Sequence, residues 1–234
     1  MKKNRFSTLA IALLLLVTIP TITMAQAQDT LPYKAYEFGL FGTAGASIFN
    51  GTLPDGSKTD LHFAYTLGVL GTVAASHDFG FSLGIGAETR GMFFKEQGKT
   101  EPNQTITLNY LSIQPGLRFK SFLVGINIGM PLSGKVDYVT GLPSPLPASY
   151  SSDIGKDTLN TVIDIRLAGL LPIVENDFGN LYFMMEVSYP LSDAIGKGGF
   201  FTPGQTSITP VTKSPIPTVQ IGFSYLFSPG AKTK

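Results

Sequence analysis

The sequence contains no cysteine and no tryptophan, and only 14% of its 234 residues are charged. The lack of cysteine excludes structural disulfides, thiol chemistry and a lipid-modified N-terminal cysteine. Soluble domains usually carry about a quarter charged residues, so the charge content is about half of that value. Beyond the first 27 residues, no run of about 18 apolar residues predicts a membrane-spanning helix. These absences argue against both a typical soluble domain and a helical membrane protein.

The first 27 residues show the three parts of a secretory signal peptide. Lys2, Lys3 and Arg5 form a basic start, Leu9–Ile19 an apolar core, and Ala25-Gln26-Ala27 a cleavage site. The alternative is an uncleaved anchor, although the apolar core is shorter than the about 20 residues that a spanning helix needs. Without this segment, 14 of the 17 Lys and Arg residues remain against 16 Asp and Glu residues. The resulting net charge, about −2, predicts no nucleic-acid partner.

Eight stretches of alternating large apolar and small or polar residues follow, and they predict eight β-strands. The predicted strands span 36–49, 61–74, 79–94, 105–119, 122–131, 159–171, 181–191 and 216–227. The opposite face is expected to be small or polar in every strand, with Gly39, Thr43 and Gly45 as examples from the first. Such a face cannot form a soluble core, so the apolar face must contact lipid. The pattern predicts an all-β fold, an eight-stranded antiparallel up-and-down transmembrane β-barrel.

Connections of alternating length separate the predicted strands. The long ones span 50–60, 95–104, 132–158 and 192–215, and the short ones span 75–78, 120–121 and about 172–180. Barrels of this class place long loops outside the cell and tight turns in the periplasm. The predicted organisation is therefore a signal peptide (1–27), a periplasmic lead-in (28–35), one barrel domain (36–227) and a tail (228–234).

Most of the charge within the strands falls on the inward face. The expected lumen network consists of Glu37, Glu88, Arg90, Arg118, Asp164, Arg166 and Glu186. Eight strands leave an interior just wide enough for side chains to fill, and an unpaired charge in such an interior is costly. We therefore expect opposite charges to pair, including Arg90 or Arg166 with Glu88 or Asp164, and to block steady ion flow.

The two histidines, His62 and His77, are the candidates for acid–base chemistry near neutral pH. His62 is expected to point inward near the outer rim, close to Asp55, Ser57 and Asp60. This grouping raises a rim enzyme as an alternative function, but such residues often occur together by chance, and we assign no catalytic residue. The histidines are far apart and have no carboxylate at ligand spacing, so we expect no metal ion and no other cofactor.

Two segments resemble a known family. Tyr110–Lys120 reads YLSIQPGLRFK, and the closing strand ends with Gly222–Phe227, GFSYLF. In these segments, and over about residues 36–227, the chain resembles the small eight-stranded outer-membrane β-barrel proteins of Bacteroidetes, including the PorT-like barrels. The resemblance implies a bacterial outer-membrane location, contact with outer-membrane lipid, and recognition of the closing strand by the barrel assembly machinery. Members of the family have varied or unassigned roles, so the partner of the external loops stays open.

The sequence therefore predicts a non-enzymatic integral outer-membrane protein with a side-chain-filled lumen, acting in envelope structure or surface interaction. Two alternatives stay open. One is a small-solute outer-membrane channel, and the other is the rim enzyme that uses His62.

Overall fold

The computed structural model describes residues 36–50, 57–76, 78–96, 104–139, 149–176, 178–196 and 215–228. The predicted signal peptide, the lead-in and most of the tail lie outside these residues. The strands are β1 (Tyr36–Ser47), β2 (Ser57–Asp60), β3 (His62–Ala74), β4 (Phe79–Glu96), β5 (Gln104–Phe119), β6 (Phe122–Val139), β7 (Ser149–Ile154), β8 (Val162–Glu175), β9 (Gly179–Pro190) and β10 (Thr218–Phe227). A 3₁₀ turn (Lys156–Thr158) precedes β8.

Eight of these strands form a closed barrel in which every neighbouring pair is antiparallel. The order is β3-β1-β10-β9-β8-β6-β5-β4, and pairing of β4 with β3 closes the cylinder. Successive register partners of Tyr36 around the barrel are Val73, Phe81, Leu117, Val124, Leu167, Val187, Val219 and finally Ala46. The path thus returns to β1 ten residues beyond its start, and such a stagger requires strands tilted by about 35–45°. The two short strands extend the wall, β2 beside β4 and β7 beside β6.

The outer surface of the barrel is apolar, as the alternation predicts. Leu40, Leu67 and Ile165 are 63%, 66% and 44% exposed, whereas the inward residues between such positions are buried. Nothing in a soluble fold explains so many exposed large side chains, because contiguous apolar patches are normally covered. The predicted fold class, an eight-stranded transmembrane β-barrel, is confirmed. Among the described residues no helix is long and apolar enough to cross a membrane.

The two ends of the cylinder differ. At one end, the turn end, the first strand begins at Tyr36 and the last strand finishes at Phe227. The tight connections 75–78, 120–121 and 176–178 lie at the same end. The sixth connection is therefore shorter than the predicted 172–180, because β8 continues to Glu175 through a bulge after Pro172. The opposite end, the loop end, carries the long connections.

The predicted boundaries are wrong mainly at the loop end. The connection expected at 132–158 contains eight further residues of β6, up to Val139, and all of β7. Likewise the connection expected at 50–60 contains β2, which pairs with the upper part of β4. Apart from Leu132, which is 44% exposed, the described outward residues of these segments are polar. The apolar alternation that marks the other strands therefore does not reveal them.

The expectation that the inward face is small or polar in every strand is also wrong. Two apolar clusters fill parts of the interior. The lower cluster, nearer the turn end, contains Phe41, Leu70, Leu123, Ala168, Leu170, Tyr182, Met184 and Leu226. The loop-end cluster contains Phe49, Met92, Ile106, Leu108, Tyr110, Val136, Ile154, Leu159, Val162, Ala194, Ile195 and Ile216. The interior is therefore layered, with polar and charged side chains above and below the lower cluster.

Candidate functional site

All seven residues of the expected charge network point into the barrel, and they occupy two levels. Glu88, Arg90, Asp164, Arg166 and Glu186 lie in the middle of the lumen, and Glu37 and Arg118 lie near the turn end. Arg118 retains 19% side-chain exposure, whereas the side chains of the other six ion-pair residues are at most 4% exposed. Charges buried this deeply require close partners.

Arg90 is the centre of the middle level. Its Nη2 atom lies 2.6 Å from Glu88 Oε1 and 2.6 Å from Asp164 Oδ2. The Nε and Nη1 atoms also donate to these carboxylates, at 3.1 Å and 3.3 Å. Beside them the guanidinium stands 5.5 Å from the centre of the Tyr110 ring, a cation–π distance. One guanidinium therefore joins two carboxylates and an aromatic ring where β4, β5 and β8 face one another.

Neutral side chains complete this cluster, and sequence reasoning missed them. Asn127 Nδ2 donates to Glu88 Oε2 at 2.8 Å and to Asp164 Oδ2 at 3.1 Å. The side-chain oxygen Oδ1 of Asn127 accepts a hydrogen bond from Ser112 Oγ at 2.6 Å. Ser112 Oγ in turn accepts one from Gln114 Nε2 at 2.8 Å. The alternation of the strands predicts that these three side chains point inward. Because they are uncharged, the sequence does not indicate that they belong to an ion-pair network.

Arg166 and Glu186 form a second, simpler pair in the middle of the lumen. Arg166 Nη2 donates to Glu186 Oε2 at 2.8 Å, and both side chains are 3% exposed. Together with the Arg90 cluster, the middle level holds three carboxylates and two guanidinium groups. This charge is arranged as adjacent pairs, as expected from the cost of an isolated ion in a confined interior.

The level near the turn end is built around Glu37. Its Oε2 atom accepts from Arg118 Nη1, while Oε1 accepts from Asn180 Nδ2 at 2.7 Å and from the Tyr182 hydroxyl at 3.1 Å. The Arg118 Nε atom donates to the carbonyl oxygen of Lys120 at 3.0 Å. This second network ties the interior of β1, β5 and β9 to a turn, and it closes the barrel below the lower cluster.

Some buried polar atoms lack hydrogen-bond partners among the described residues. They are Ser82 Oγ, Tyr110 Oη, Gln114 Oε1, Arg166 Nε, Ser188 Oγ, Thr218 Oγ1 and Gln220 Nε2. Three of these residues are neighbours in the wall, because Arg166 pairs with Ser188 and Ser188 pairs with Thr218. Each such atom costs about 1–3 kcal/mol of stability, so the β8–β9–β10 wall is the least satisfied side of the lumen.

His62 does not point into the lumen. Its ring packs at 4.9 Å against the ring of Phe93, and Nε2 lies 3.4 Å from the Thr107 hydroxyl. Both neighbours face outward on β4 and β5. The register explains the change of face. Asp60 pairs with Phe93, and Tyr65 pairs with Thr89. The segment from Asp60 to Tyr65 therefore has one residue more than the segment of β4 opposite it. This is the geometry of a β-bulge, which re-aims a side chain.

Of the three residues expected near His62, only Asp60 has a side chain that the structure describes. Nδ1 lies 2.6 Å from the carbonyl oxygen of Phe63, which makes it the donor nitrogen and leaves Nε2 as the acceptor. Asp60 accepts a hydrogen bond from the main-chain N–H of Leu61 at 2.9 Å. Asp55 and the side chain of Ser57, as well as His77, lie outside the described residues. Within the described part of the chain, no group of three His, Cys, Asp or Glu residues could hold a metal ion.

Comparison with known proteins gives distant structural similarity. No family model matches the chain, and no curated protein matches it. The attachment invasion locus protein Ail of Yersinia pestis is 13% identical, with 84% of this chain and 100% of that chain covered and a TM-score of 0.38. Ail in complex with the heparin analogue sucrose octasulfate is 12% identical, with 82% of this chain and 97% of that chain covered and a TM-score of 0.35. The outer membrane protein OprG from Pseudomonas aeruginosa is 14% identical, with 83% of this chain and 97% of that chain covered and a TM-score of 0.38. The resemblance to the PorT-like barrels stays a prediction.

Proposed function

We propose that the chain is a non-enzymatic integral protein of a bacterial outer membrane, with a closed lumen, that acts in envelope structure or surface interaction. The turn end then faces the periplasm and the loop end faces the exterior. The observation that carries the proposal is the filled interior. Arg90 is fully buried between two carboxylates in mid-barrel, and apolar side chains close the space both above and below it.

A closed lumen leaves the exterior loop end as the part of the molecule that can meet a partner. On this side β4, β5 and β6 rise above their neighbours and carry β2 and β7 as additional strands. Their outward residues there include the polar Asn109, Ser133, Lys135 and Asp137, beside the apolar Phe93 and Leu132. This extension is stable apart from lipid because the loop-end cluster gives it a core of its own. The proposal thus assigns surface interaction to the extension and anchoring to the barrel.

Planar-bilayer recording tests the closed lumen. Purified barrel inserted into a bilayer should show no stable conductance, because the two ionic levels and the apolar clusters leave no continuous water path. An open porin of the same preparation serves as the positive control. A large, steady conductance of the wild-type protein would overturn the proposal.

One observation favours a second candidate, a channel for small polar solutes. The β8–β9–β10 wall contains buried polar atoms without partners, and water entering the lumen would satisfy them. Leak currents that appear in the wild type and change with Ser188→Ala or Thr218→Val would support this candidate. Silence in all three proteins would leave the closed barrel as the better account.

A further inference from the structure

The barrel wall is uneven in height at the loop end. β6 pairs with β8 only as far as Gly129 and Val162, yet β6 continues for ten more residues to Val139. β9 and β10 reach only Pro190 and Thr218. The inner side of the taller strands is apolar above this point, and Met92, Ile106, Leu108 and Val136 are at most 4% exposed.

Two connecting segments cover this apolar surface where the wall is low. We call them the straps: residues 154–160 and residues 191–196. The first contributes Ile154 and Leu159 to the loop-end cluster, and the second contributes Ala194 and Ile195. Among the described residues, the straps thus pack apolar side chains against the inner side of the taller strands.

The straps are joined to each other by few main-chain contacts. Asn160 N–H donates to Ala194 O at 3.1 Å, Gly196 N–H donates to Thr158 O at 2.7 Å, and Leu159 and Ile195 form an isolated bridge. Asn160 Nδ2 adds a hydrogen bond to Asp193 O at 3.1 Å. In contrast, neighbouring barrel strands such as β1 and β10 share a ladder of ten residue pairs. A junction this short separates at a lower free energy than the long ladders around it.

A buried hydroxyl beneath the straps is satisfied when water reaches it. Tyr110 is fully buried in the loop-end cluster, and its hydroxyl has no hydrogen-bond partner among the described residues. The same ring lies under the guanidinium of Arg90. Water that enters between the separated straps would therefore reach a cluster that holds the Tyr110 hydroxyl beside the Arg90 guanidinium.

We propose that the two straps form a lid that opens by separating along the Leu159–Ile195 bridge and admits water to the loop-end cluster from outside, while the ionic levels below keep the lumen closed. The proposal differs from the channel reading, because the opening stops at the Arg90 cluster. It requires the two straps to separate from each other while the taller strands stay in place.

The absence of native cysteine allows a direct test with single thiols. Leu108→Cys places a thiol under the lid, and Leu170→Cys places one in the lower cluster; both leucines are fully buried. In the barrel reconstituted in vesicles, a charged methanethiosulfonate reagent should modify position 108 on the order of tenfold faster than position 170, because only the former is exposed by local opening. Equal rates at the two positions would overturn the lid.

A cross-link across the lid separates its opening from other motions. Leu159→Cys with Ile195→Cys joins the two bridge partners at a spacing suited to a disulfide. The oxidised form, verified by peptide mapping, should slow modification of Leu108→Cys on the order of tenfold, and reduction should restore the rate. Modification that ignores the cross-link would show that the straps do not gate the cluster.

Two further measurements need no thiol under the lid. In native-state hydrogen exchange, the amides of Asn160 and Gly196 should exchange at one common rate, faster than amides of the β1–β10 ladder. Tyr110→Phe should slow both amides, because it removes the hydroxyl that gains from hydration, while Tyr182→Phe, at the other end of the lumen, should leave them unchanged. Separate rates for the two amides, or no effect of Tyr110→Phe, would contradict a single hydrating lid.

Discussion

Arg90 on β4 and Asp164 on β8 meet inside the barrel, with 2.6 Å between Nη2 and Oδ2, although 74 residues separate them in sequence. Three strand steps separate β4 from β8 around the wall, so the pair crosses the lumen. Because both side chains are fully buried, the contact is dry, and an unpaired member would be strongly disfavoured. These two side chains fill the centre of the cylinder, and a filled centre is what the proposed closed lumen requires.

The simpler buried pair, Arg166 with Glu186, gives the sharpest stability prediction. Arg166→Met should destabilise the barrel by about 3–5 kcal/mol, because Glu186 is left buried without a counter-charge. The double variant Arg166→Met with Glu186→Leu should recover most of that loss. Urea unfolding in lipid vesicles measures both changes.

The exposed pair Lys135–Asp137 is the matched control. Its charged atoms are 2.9 Å apart, but the side chains are 53% and 42% exposed. Water and salt screen such a pair, so Lys135→Met should cost at most about 1 kcal/mol. A double variant at Arg166 and Glu186 that is less stable than the single one would contradict a dry, mutually dependent pair.

Alternation of period two predicts most of the barrel because lipid selects the outward face of every strand. It fails where the surroundings change from lipid to water. On β5, Leu111 and Ile113 face outward in the lipid-facing part, whereas Ile106 and Leu108 face inward above it. The apolar residues therefore change faces close to Tyr110. This inversion was visible in the sequence, and it marks the exit of the strand from the membrane.

The pairing of the lumen charges could be anticipated only in part. Their inward parity predicts that they share one interior, but the choice of partner depends in part on the ten-residue stagger of the strands. Glu88 lies two residues from Arg90 on the same strand, and Arg166 meets Glu186 on the neighbouring strand. Only the contact of Arg90 with Asp164 across the lumen depends on the stagger. Phe41 lies on the inward face of β1, and it is 2% exposed because the lower cluster provides an apolar layer inside. A strict alternation also cannot predict bulges such as the one at His62, where one extra residue changes the face of the side chain.

The lipid-facing assignment predicts different outcomes at adjacent positions of β8. Ile165 is 44% exposed on the outer surface, and Arg166 is buried in the lumen. Ile165→Arg should cost about 2–4 kcal/mol, the penalty for an arginine near the bilayer midplane. Folding into lipid vesicles, followed by urea titration, measures the cost.

Leu191 is the control for this substitution, since it is 62% exposed at the loop end of β9. Leu191→Arg should cost only about 0–1 kcal/mol, because arginine near the interface reaches water. If Ile165→Arg were as stable as wild type, the outer surface of β8 would not face hydrocarbon.

The orientation of the barrel can be read with single cysteines, since the chain has none. Lys156, in the 3₁₀ turn at the loop end, and Ser76, in a tight connection at the turn end, are both exposed. A membrane-impermeant maleimide should label Lys156→Cys on intact cells and Ser76→Cys only after permeabilisation. Labelling in the reverse pattern would refute the orientation.

Closure of the cylinder depends on close backbone contact between β1 and β10. A Cβ atom added at Gly39 would clash with the carbonyl oxygen of Tyr225, across the seam that joins the first and last strands. One added at Gly169 would meet nothing within 4 Å. Gly39→Ala should therefore lower the stability of the barrel by about 1–3 kcal/mol or more, the cost of an overpacked site. It should also reduce the fraction of closed barrel. Unheated gel electrophoresis measures this fraction as the faster-migrating form. Gly169→Ala should fold as wild type or gain about 0.5–1 kcal/mol, the usual advantage of alanine over glycine in a strand. Equal yields of closed barrel from the two variants would show that the seam tolerates a side chain at Gly39, and that the close approach of the strands there is not required for closure.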